Sequence, residues 1–110
     1  MRFFLIPILL TFASLSFADV MRVTILGSGT PRPDINRFSQ SILIEAGGEK
    51  LLFDTGRGSA IRLSQANINI GDINEIFLTH LHSDHTLGMP DVIMTGWTVS
   101  YTHLTLPTKA

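Results

Sequence analysis

The chain has 110 residues, a formal net charge of −1 and no cysteine. Its length bounds it at one domain or part of one, and the lack of cysteine excludes disulfides and thiolate metal ligands within this sequence. The near-neutral charge, without a run of Lys or Arg, disfavours nucleic acid as a partner but does not exclude it.

Residues 1–18 have the pattern of a secretory signal peptide. Arg2 supplies a positive charge, residues 3–15 are uncharged and mostly apolar, and Ala18 follows Ser16 at the positions that a signal peptidase reads. We predict cleavage after Ala18, export to the periplasm or the medium, and no stable membrane span in the mature chain. An uncleaved anchor is the alternative.

Three strands are predicted in the first half of the mature chain. Residues 21–26 are rich in Val, Ile and Leu, as in a strand buried on both faces. Residues 41–46 and 49–53 flank Gly47-Gly48, a pair that favours a tight hairpin turn and therefore two antiparallel strands. The Gly-x-Gly of residues 27–29 lacks the third glycine and the helix of a dinucleotide fingerprint, which disfavours a nucleotide site.

Helices and a strand alternate in the second half. Ser59 is placed to cap a helix that runs to about Ala66, and residues 67–74 form a polar connector. Residues 75–79 resemble a strand, a helical turn is expected from Thr86, and Pro90 suits the first turn of another helix. The sequence therefore predicts an α/β fold with a mixed sheet and flanking helices.

Four metal-binding side chains, His80, His82, Asp84 and His85, follow the last predicted strand within six residues. Alternate residues of a strand point to the same side, so His80 and His82 can face one metal ion, and Asp84 with His85 suits a second. Zinc accepts both imidazole and carboxylate ligands. A polar surface loop is the alternative, disfavoured because three of the four histidines in the chain lie here.

These residues resemble the metallo-β-lactamase superfamily, whose motif is His-x-His-x-Asp-His. Within it, the chain is most similar to the branch of ribonuclease Z and of arylsulfatase-like or phosphodiesterase-like hydrolases. That branch shares the Gly-x-Gly-x-Pro loop of residues 27–31, the Leu-Phe-Asp-x-Gly turn of residues 52–56 and the Gly-hydrophobic-Pro of residues 88–90. The resemblance covers residues 21–97 and implies the N-terminal half of an αβ/βα sandwich.

The resemblance also implies a mechanism. Two zinc ions would be held, one by His80 and His82 and the other by Asp84 and His85, with a bridging hydroxide as nucleophile. The substrate would be a small ester: a phosphodiester, a sulfate ester or a lactone. Asp84 is the predicted catalytic residue, which takes up or relays the proton of the nucleophile. Asp54 either orients a histidine through its other ring nitrogen or caps its own turn.

Two departures from the family define the alternatives. Ribonuclease Z usually carries an acidic residue where this chain has Arg57. This difference and the predicted export both disfavour a tRNA 3′-processing endonuclease, which remains the first alternative. The superfamily's later half supplies another metal-binding His, a bridging Asp and a final His, none of which is present here. The second alternative is therefore an inert, truncated fragment with a vestigial metal site.

The end of the chain departs most. Residues 99–108 can be encoded by a nucleotide string that resembles a transposase-based sequencing adapter, so we interpret residues 98–110 as a tail that is not native. A native tail with alternating Thr and Leu is the alternative. His103 is accordingly not predicted to be a ligand. The predicted organisation is a signal peptide (1–18), a partial metallo-β-lactamase domain (19–97) and this tail.

Overall fold

The computed structural model describes residues 20–99, so the predicted signal peptide and nearly all of the predicted tail lie outside the described part. Four strands form one sheet in the order β1-β2-β3-β4. They are β1 (Arg22–Gly27), β2 (Ser41–Ala46), β3 (Glu49–Phe53) and β4 (Glu75–Phe77). β1, β2 and β3 pair antiparallel, whereas β4 runs parallel to β3. The predicted mixed sheet is confirmed.

The turn between β2 and β3 is the predicted glycine pair. Gly47 and Gly48 have φ angles of +57° and +79°, a left-handed conformation that glycine adopts at low cost. Positive φ at both central residues is what a two-residue hairpin turn of type I′ requires. The register pairs Ile42 with Phe53 and confirms the antiparallel hairpin.

The helices are α1 (Ser59–Gln65), α2 (Ser83–Thr86) and α3 (Met89–Val99), with a short 3-10 helix at Ile70–Asp72. The predicted cap at Ser59 is wrong. Gly58, with a φ of +86°, occupies the N-cap position, and Ser59 is the first residue of α1. The Ser59 hydroxyl instead donates to the Gly56 carbonyl at 2.6 Å. The glycine can take the left-handed conformation that this sharp entry needs.

Helix α3 continues through Val99, past the boundary that we place at Trp97. The Thr98 hydroxyl donates to the carbonyl of Met94 at 2.8 Å, as expected one turn along a helix. Residues 100–110 lie outside the described part, so the boundary of the native domain stays a prediction. Within residues 20–99, no helix is both long and apolar enough to cross a membrane.

The core lies between one face of the sheet and the helices. Its buried apolar residues come from three strands and two helices: Leu26, Leu43, Leu52, Ala60, Leu63 and Val92. The opposite face is open within the described residues, and Val23 and Ile25 are 52% and 68% exposed. The prediction that β1 is buried on both faces is therefore wrong for this part of the chain. Among residues 20–99, β1 lies at the edge of the sheet. An apolar run alone does not reveal how many faces of a strand are covered.

Candidate metal centre

The motif lies where β3 and β4 end. Because these strands are parallel, with Phe53 paired to Phe77, their carboxyl ends meet at one edge of the sheet. The Asp54 amide donates to the Phe77 carbonyl at 2.7 Å, which holds the first residue after β3 beside the exit of β4. β4 ends at Phe77, two residues before the predicted end. His80 and His82 consequently project from a loop rather than from the strand itself.

The structure brings the predicted ligands together. The ring centre of His80 lies 4.6 Å from that of His82 and 4.0 Å from that of His85. The Asp84 Oδ2 atom is 3.5 Å from the His85 Nε2 atom. Helix α2 begins at Ser83, earlier than the helical turn predicted from Thr86. Asp84 and His85 therefore lie within this single turn of helix. This turn of helix carries both side chains back beside the two earlier histidines.

Asp54 is the buried carboxylate of the cluster. Its Oδ2 atom lies 2.7 Å from His85 Nδ1, and its Oδ1 atom accepts from the Thr79 amide at 2.8 Å. Burial raises the Asp54 pKa, but the hydrogen bonds from Thr79 and His85 outweigh burial, and the pKa lies below its ordinary value of 3.8. The carboxylate is therefore charged at neutral pH. Of the two alternatives for Asp54, contact with a histidine ring is the one observed.

Thr79 is a participant that sequence reasoning missed. Its hydroxyl lies 2.8 Å from Asp54 Oδ2 and 3.0 Å from His80 Nδ1. Because the hydroxyl donates its hydrogen bond to the charged carboxylate, its oxygen is left to accept a hydrogen bond from the Nδ1–H group of His80. Asp54 thus contacts His85 directly and His80 through Thr79, and these contacts to Nδ1 leave the Nε2 atom of both rings available to a metal ion. In the sequence, a hydroxyl residue directly before His80 only weakly indicates such a role, because its partner Asp54 lies 25 residues earlier.

Backbone hydrogen bonds fix the motif against two neighbouring segments. The Thr55 amide donates to the His85 carbonyl at 2.8 Å, and the Gly88 amide returns a bond to the Thr55 carbonyl at 2.8 Å. The Gln40 amide donates to the Asp84 carbonyl at 3.1 Å. The loop before β2, the turn after β3 and helix α2 therefore form one connected unit, which limits motion of the two predicted ligands on α2.

The donor set fits zinc in its chemistry. Three imidazoles and a carboxylate are ligands that zinc accepts. The second ring nitrogen of His85 contacts Asp54 and that of His80 contacts Thr79, and in metal sites such contacts orient the histidines that bind the ion. Within residues 20–99, however, no three His, Asp or Glu side chains are arranged as a finished site for one ion. The ligand assignment of His80, His82, Asp84 and His85 therefore stays a prediction.

Comparisons with known proteins show which fold and family this chain resembles. Ribonuclease Z of Mycobacterium sp. (strain KMS) is 41% identical over 83 residues, which are 76% of this chain and 29% of that protein. The crystal structure of human tRNase Z, short form, superposes with a TM-score of 0.70 at 34% identity, over 76% of this chain and 32% of that one. The metallo-β-lactamase fold protein YhfI of Bacillus subtilis superposes with a TM-score of 0.67 at 23% identity, over 76% of this chain and 33% of that one.

The fold and the motif together define the class: a metallo-β-lactamase fold of the ribonuclease Z branch, as the resemblance implies. The chain spans about 29% of the length of the curated relatives that it matches. The model of one family, described as anti-Pycsar protein Apyc1, matches residues 21–108, and the chain belongs to this family.

Proposed function

We propose that the chain carries the metal-binding part of a hydrolase that cleaves phosphodiester bonds, with RNA as the substrate class. The observation that carries the proposal is the gathering of His80, His82 and His85 beside the buried Asp54. The similarity to ribonuclease Z and tRNase Z supports RNA over the small-molecule ester that the sequence alone favours. The tRNA-processing alternative thereby becomes the main hypothesis.

In this proposal, His80 and His82 would hold one zinc ion, and Asp84 and His85 would hold a second. Zinc bound by these residues would supply Lewis-acid chemistry: it would polarise a phosphoryl oxygen and lower the pKa of a water molecule. Asp84, whose Oδ2 atom lies 3.5 Å from His85 Nε2, accepts the proton that the attacking water loses. Asp54 and Thr79 act through the histidines that they orient, so we consider both to be positioning residues.

Metal binding is the first test. The purified chain, dialysed against a zinc buffer, should retain zinc, and the double variant His80→Ala/His82→Ala should lose most of it, because both predicted ligands of one ion are removed. His103→Ala is the matched control, since that histidine is not predicted to bind metal, and it should retain the zinc of the unmodified chain. Full zinc retention by the double variant would overturn the ligand assignment.

Cleavage is the second test. The zinc-loaded chain and free zinc are compared on a 3′-extended precursor tRNA and on bis(p-nitrophenyl) phosphate. Cleavage of the RNA above the rate with free zinc supports the proposal. Cleavage of the small diester alone favours the small-ester hypothesis. Turnover of neither substrate favours the inert fragment, since four ligands do not fill two zinc ions of about four ligands each.

Export is a separate proposal that rests on residues 1–18 alone. A periplasmic or secreted hydrolase would meet extracellular RNA rather than the precursor tRNA of the cytoplasm. N-terminal sequencing of the protein recovered from its native host should find Asp19 as the first residue. A protein that still begins at Met1 in the cytoplasmic fraction contradicts export and removes that objection to a tRNA substrate.

A further inference from the structure

The fold gathers cationic residues that are dispersed in the sequence. Arg32 and Arg37 lie on the loop between β1 and β2, and two arginines from beyond β3 reach the same loop. Arg57 donates to the carbonyl of Pro31 at 3.2 Å, and the guanidinium of Arg62 lies 4.5 Å from the centre of the Phe38 ring. We name this set, Arg32, Arg37, Arg57 and Arg62, the arginine surface. The absence of a basic run in the sequence does not reveal it.

The arginine surface has no carboxylate partners among residues 20–99. In that part of the chain, the arginine that forms an ion pair is Arg22, 3.8 Å from Glu45, at the start of β1. The acidic residue of the loop, Asp34, accepts instead from the Asn36 amide at 2.9 Å. Each guanidinium carries five N–H donors. The bond from Arg57 to a carbonyl therefore leaves most of its donors and all of its charge available to an anion.

A shallow cavity lies beside two of these arginines. It has a volume of about 380 Å³, and both Arg37 and Arg62 line it. Ser28, Asn36 and Gln65 also line it. Ser28 accepts from Arg37 at 3.3 Å and Gln65 accepts from Arg62 at 2.8 Å, which holds both guanidinium groups beside the cavity. Guanidinium groups are suited to phosphate oxygens, because a planar guanidinium binds them in bidentate fashion.

The arginine surface adjoins the metal motif through one strand-entry segment. The Ser39 amide donates to the Arg57 carbonyl at 3.3 Å, and the next residue, Gln40, donates through its amide to the Asp84 carbonyl at 3.1 Å. The Gln40 side chain also donates to the Gly29 carbonyl at 3.1 Å, in the loop that carries Arg32 and Arg37. Residues 39 and 40 therefore connect the loop that carries Arg32 and Arg37 with both the turn of Arg57 and the metal motif.

We propose that the arginine surface binds the phosphates of an RNA chain whose scissile bond lies at the His80–His85 motif. The inference rests on the proposed function and deepens it, because it assigns the residues that hold substrate on one side of the cut. A chain with several phosphates occupies the motif and the arginine surface together. A small diester has one phosphate and leaves the arginines unused. Arg57, which departs from the ribonuclease Z pattern, thereby gains a role.

The test measures binding of a fluorescent 3′-extended tRNA hairpin to the full chain, without metal and with a chelator, over a range of salt concentrations. Substituting Arg32, Arg37 and Arg57 together by Gln should weaken binding about tenfold or more at low salt. The same variant should reduce the slope of log affinity against log salt by about 2, since each lost phosphate contact removes about 0.7–0.9. The triple Lys variant keeps the charges and should keep most of the slope.

Arg22→Gln is the matched control, because Arg22 lies at the opposite end of β1 from the loop and should leave the slope unchanged. An unaltered slope in the triple Gln variant, or an equal loss in Arg22→Gln, overturns the inference. Retained binding in the triple Lys variant shows that a loss with Gln does not come from misfolding. Zinc-dependent cleavage of the 3′-extended precursor tRNA is measured on the unmodified chain. Its absence contradicts the proposed function, whereas the salt slope alone decides the arginine surface.

Discussion

The two ends of the sheet use glycine for different reasons. At the hairpin end, Gly47 and Gly48 have positive φ angles, and a Cβ atom on either would meet nothing within 4 Å. At the motif end, a Cβ atom on Gly56 would clash with the Asp84 carbonyl, and one on Gly88 would clash with the Gly56 carbonyl. One end needs glycine for backbone conformation, and the other needs it for close approach of backbones.

This difference shows where the chain is under most packing constraint. The hairpin end is a connection, and its only demand is a turn that matches the twist of two strands. At the motif end, three segments are joined by backbone hydrogen bonds. Two of these bonds run from the Thr55 amide to the His85 carbonyl and from the Gly88 amide to the Thr55 carbonyl. The side chains that we assign to metal binding thus depend on backbone contacts that a single methyl group would disturb.

The largest effect is expected from Gly88→Ala. The added methyl group would meet backbone atoms of Gly56 and Thr55, which cannot rotate away as a side chain can. Overpacking of this kind costs about 1–3 kcal/mol, and we expect the upper end of that range in the free energy of unfolding. Chemical denaturation of the chain in chelator measures it. A cost no larger than that of Gly48→Ala would contradict the difference between the two ends.

The next largest effect is expected from Asp54→Asn. The amide keeps the shape of the side chain but loses the charge that holds His85 and Thr79. Loss of such an orienting group typically lowers metal affinity about 10- to 100-fold, measured here by competition with a zinc chelator. Asp91→Asn, an exposed carboxylate on α3, is the matched control. Equal zinc affinity in both variants would show that Asp54 does not orient a ligand.

The sequence predicts the local features of this fold well. The glycine pair indicates the hairpin because a positive φ at both residues is a local requirement, and β2 and β3 have the predicted bounds. The covering of β1 could not be predicted, because an apolar run is the same whether one face or both are packed. The predicted cap at Ser59 failed because Gly58 also suits a helix entry, and only the path from β3 decides between them.

Site prediction divides in the same way. The spacing of His80, His82, Asp84 and His85 selects the cluster because ligands near in sequence can meet without knowledge of the fold. Thr79 could not be placed, since its role depends on contact with a carboxylate 25 residues earlier in the chain. The arginine surface was missed for the same reason: Arg57 reaches Pro31 across 26 residues.

Thr79→Val tests whether the Thr79 hydroxyl orients His80 at the motif end. Valine keeps the branched shape but removes the hydroxyl that joins Asp54 to His80. Zinc affinity should fall about tenfold or less, because His85 keeps its direct contact with Asp54. Nitrogen NMR of the imidazoles should show that His80 no longer holds its proton on Nδ1 alone, whereas His85 does. Thr79→Ser should restore both properties, and a serine variant as impaired as valine would contradict the hydroxyl's role.

Acid should weaken the motif end by a smaller amount. The Asp54 pKa is lowered below 3.8 in the folded chain by its bonds to Thr79 and His85, which outweigh burial. Its contribution to stability is therefore complete above the unfolded pKa and is lost as pH falls through the lowered folded value. Unfolding measured in chelator from about pH 5 to pH 2 should show a shallower loss for Asp54→Asn than for the unmodified chain. Equal pH dependence would contradict the lowered pKa.

The smallest effect is expected at the hairpin end, from Gly48→Ala. Its φ of +79° is unfavourable for a residue with a Cβ atom, but that atom would touch nothing within 4 Å. The cost should be about 1 kcal/mol in the free energy of unfolding, from backbone conformation alone. Gly48→Asn should cost less, because asparagine tolerates the left-handed conformation better than alanine does. Zinc affinity should be unchanged in both variants, since the turn lies at the far end of β3 from Asp54. If Asn costs as much as Ala, or if either variant weakens zinc binding, then the hairpin glycines serve more than the turn, and the separation of the two ends fails.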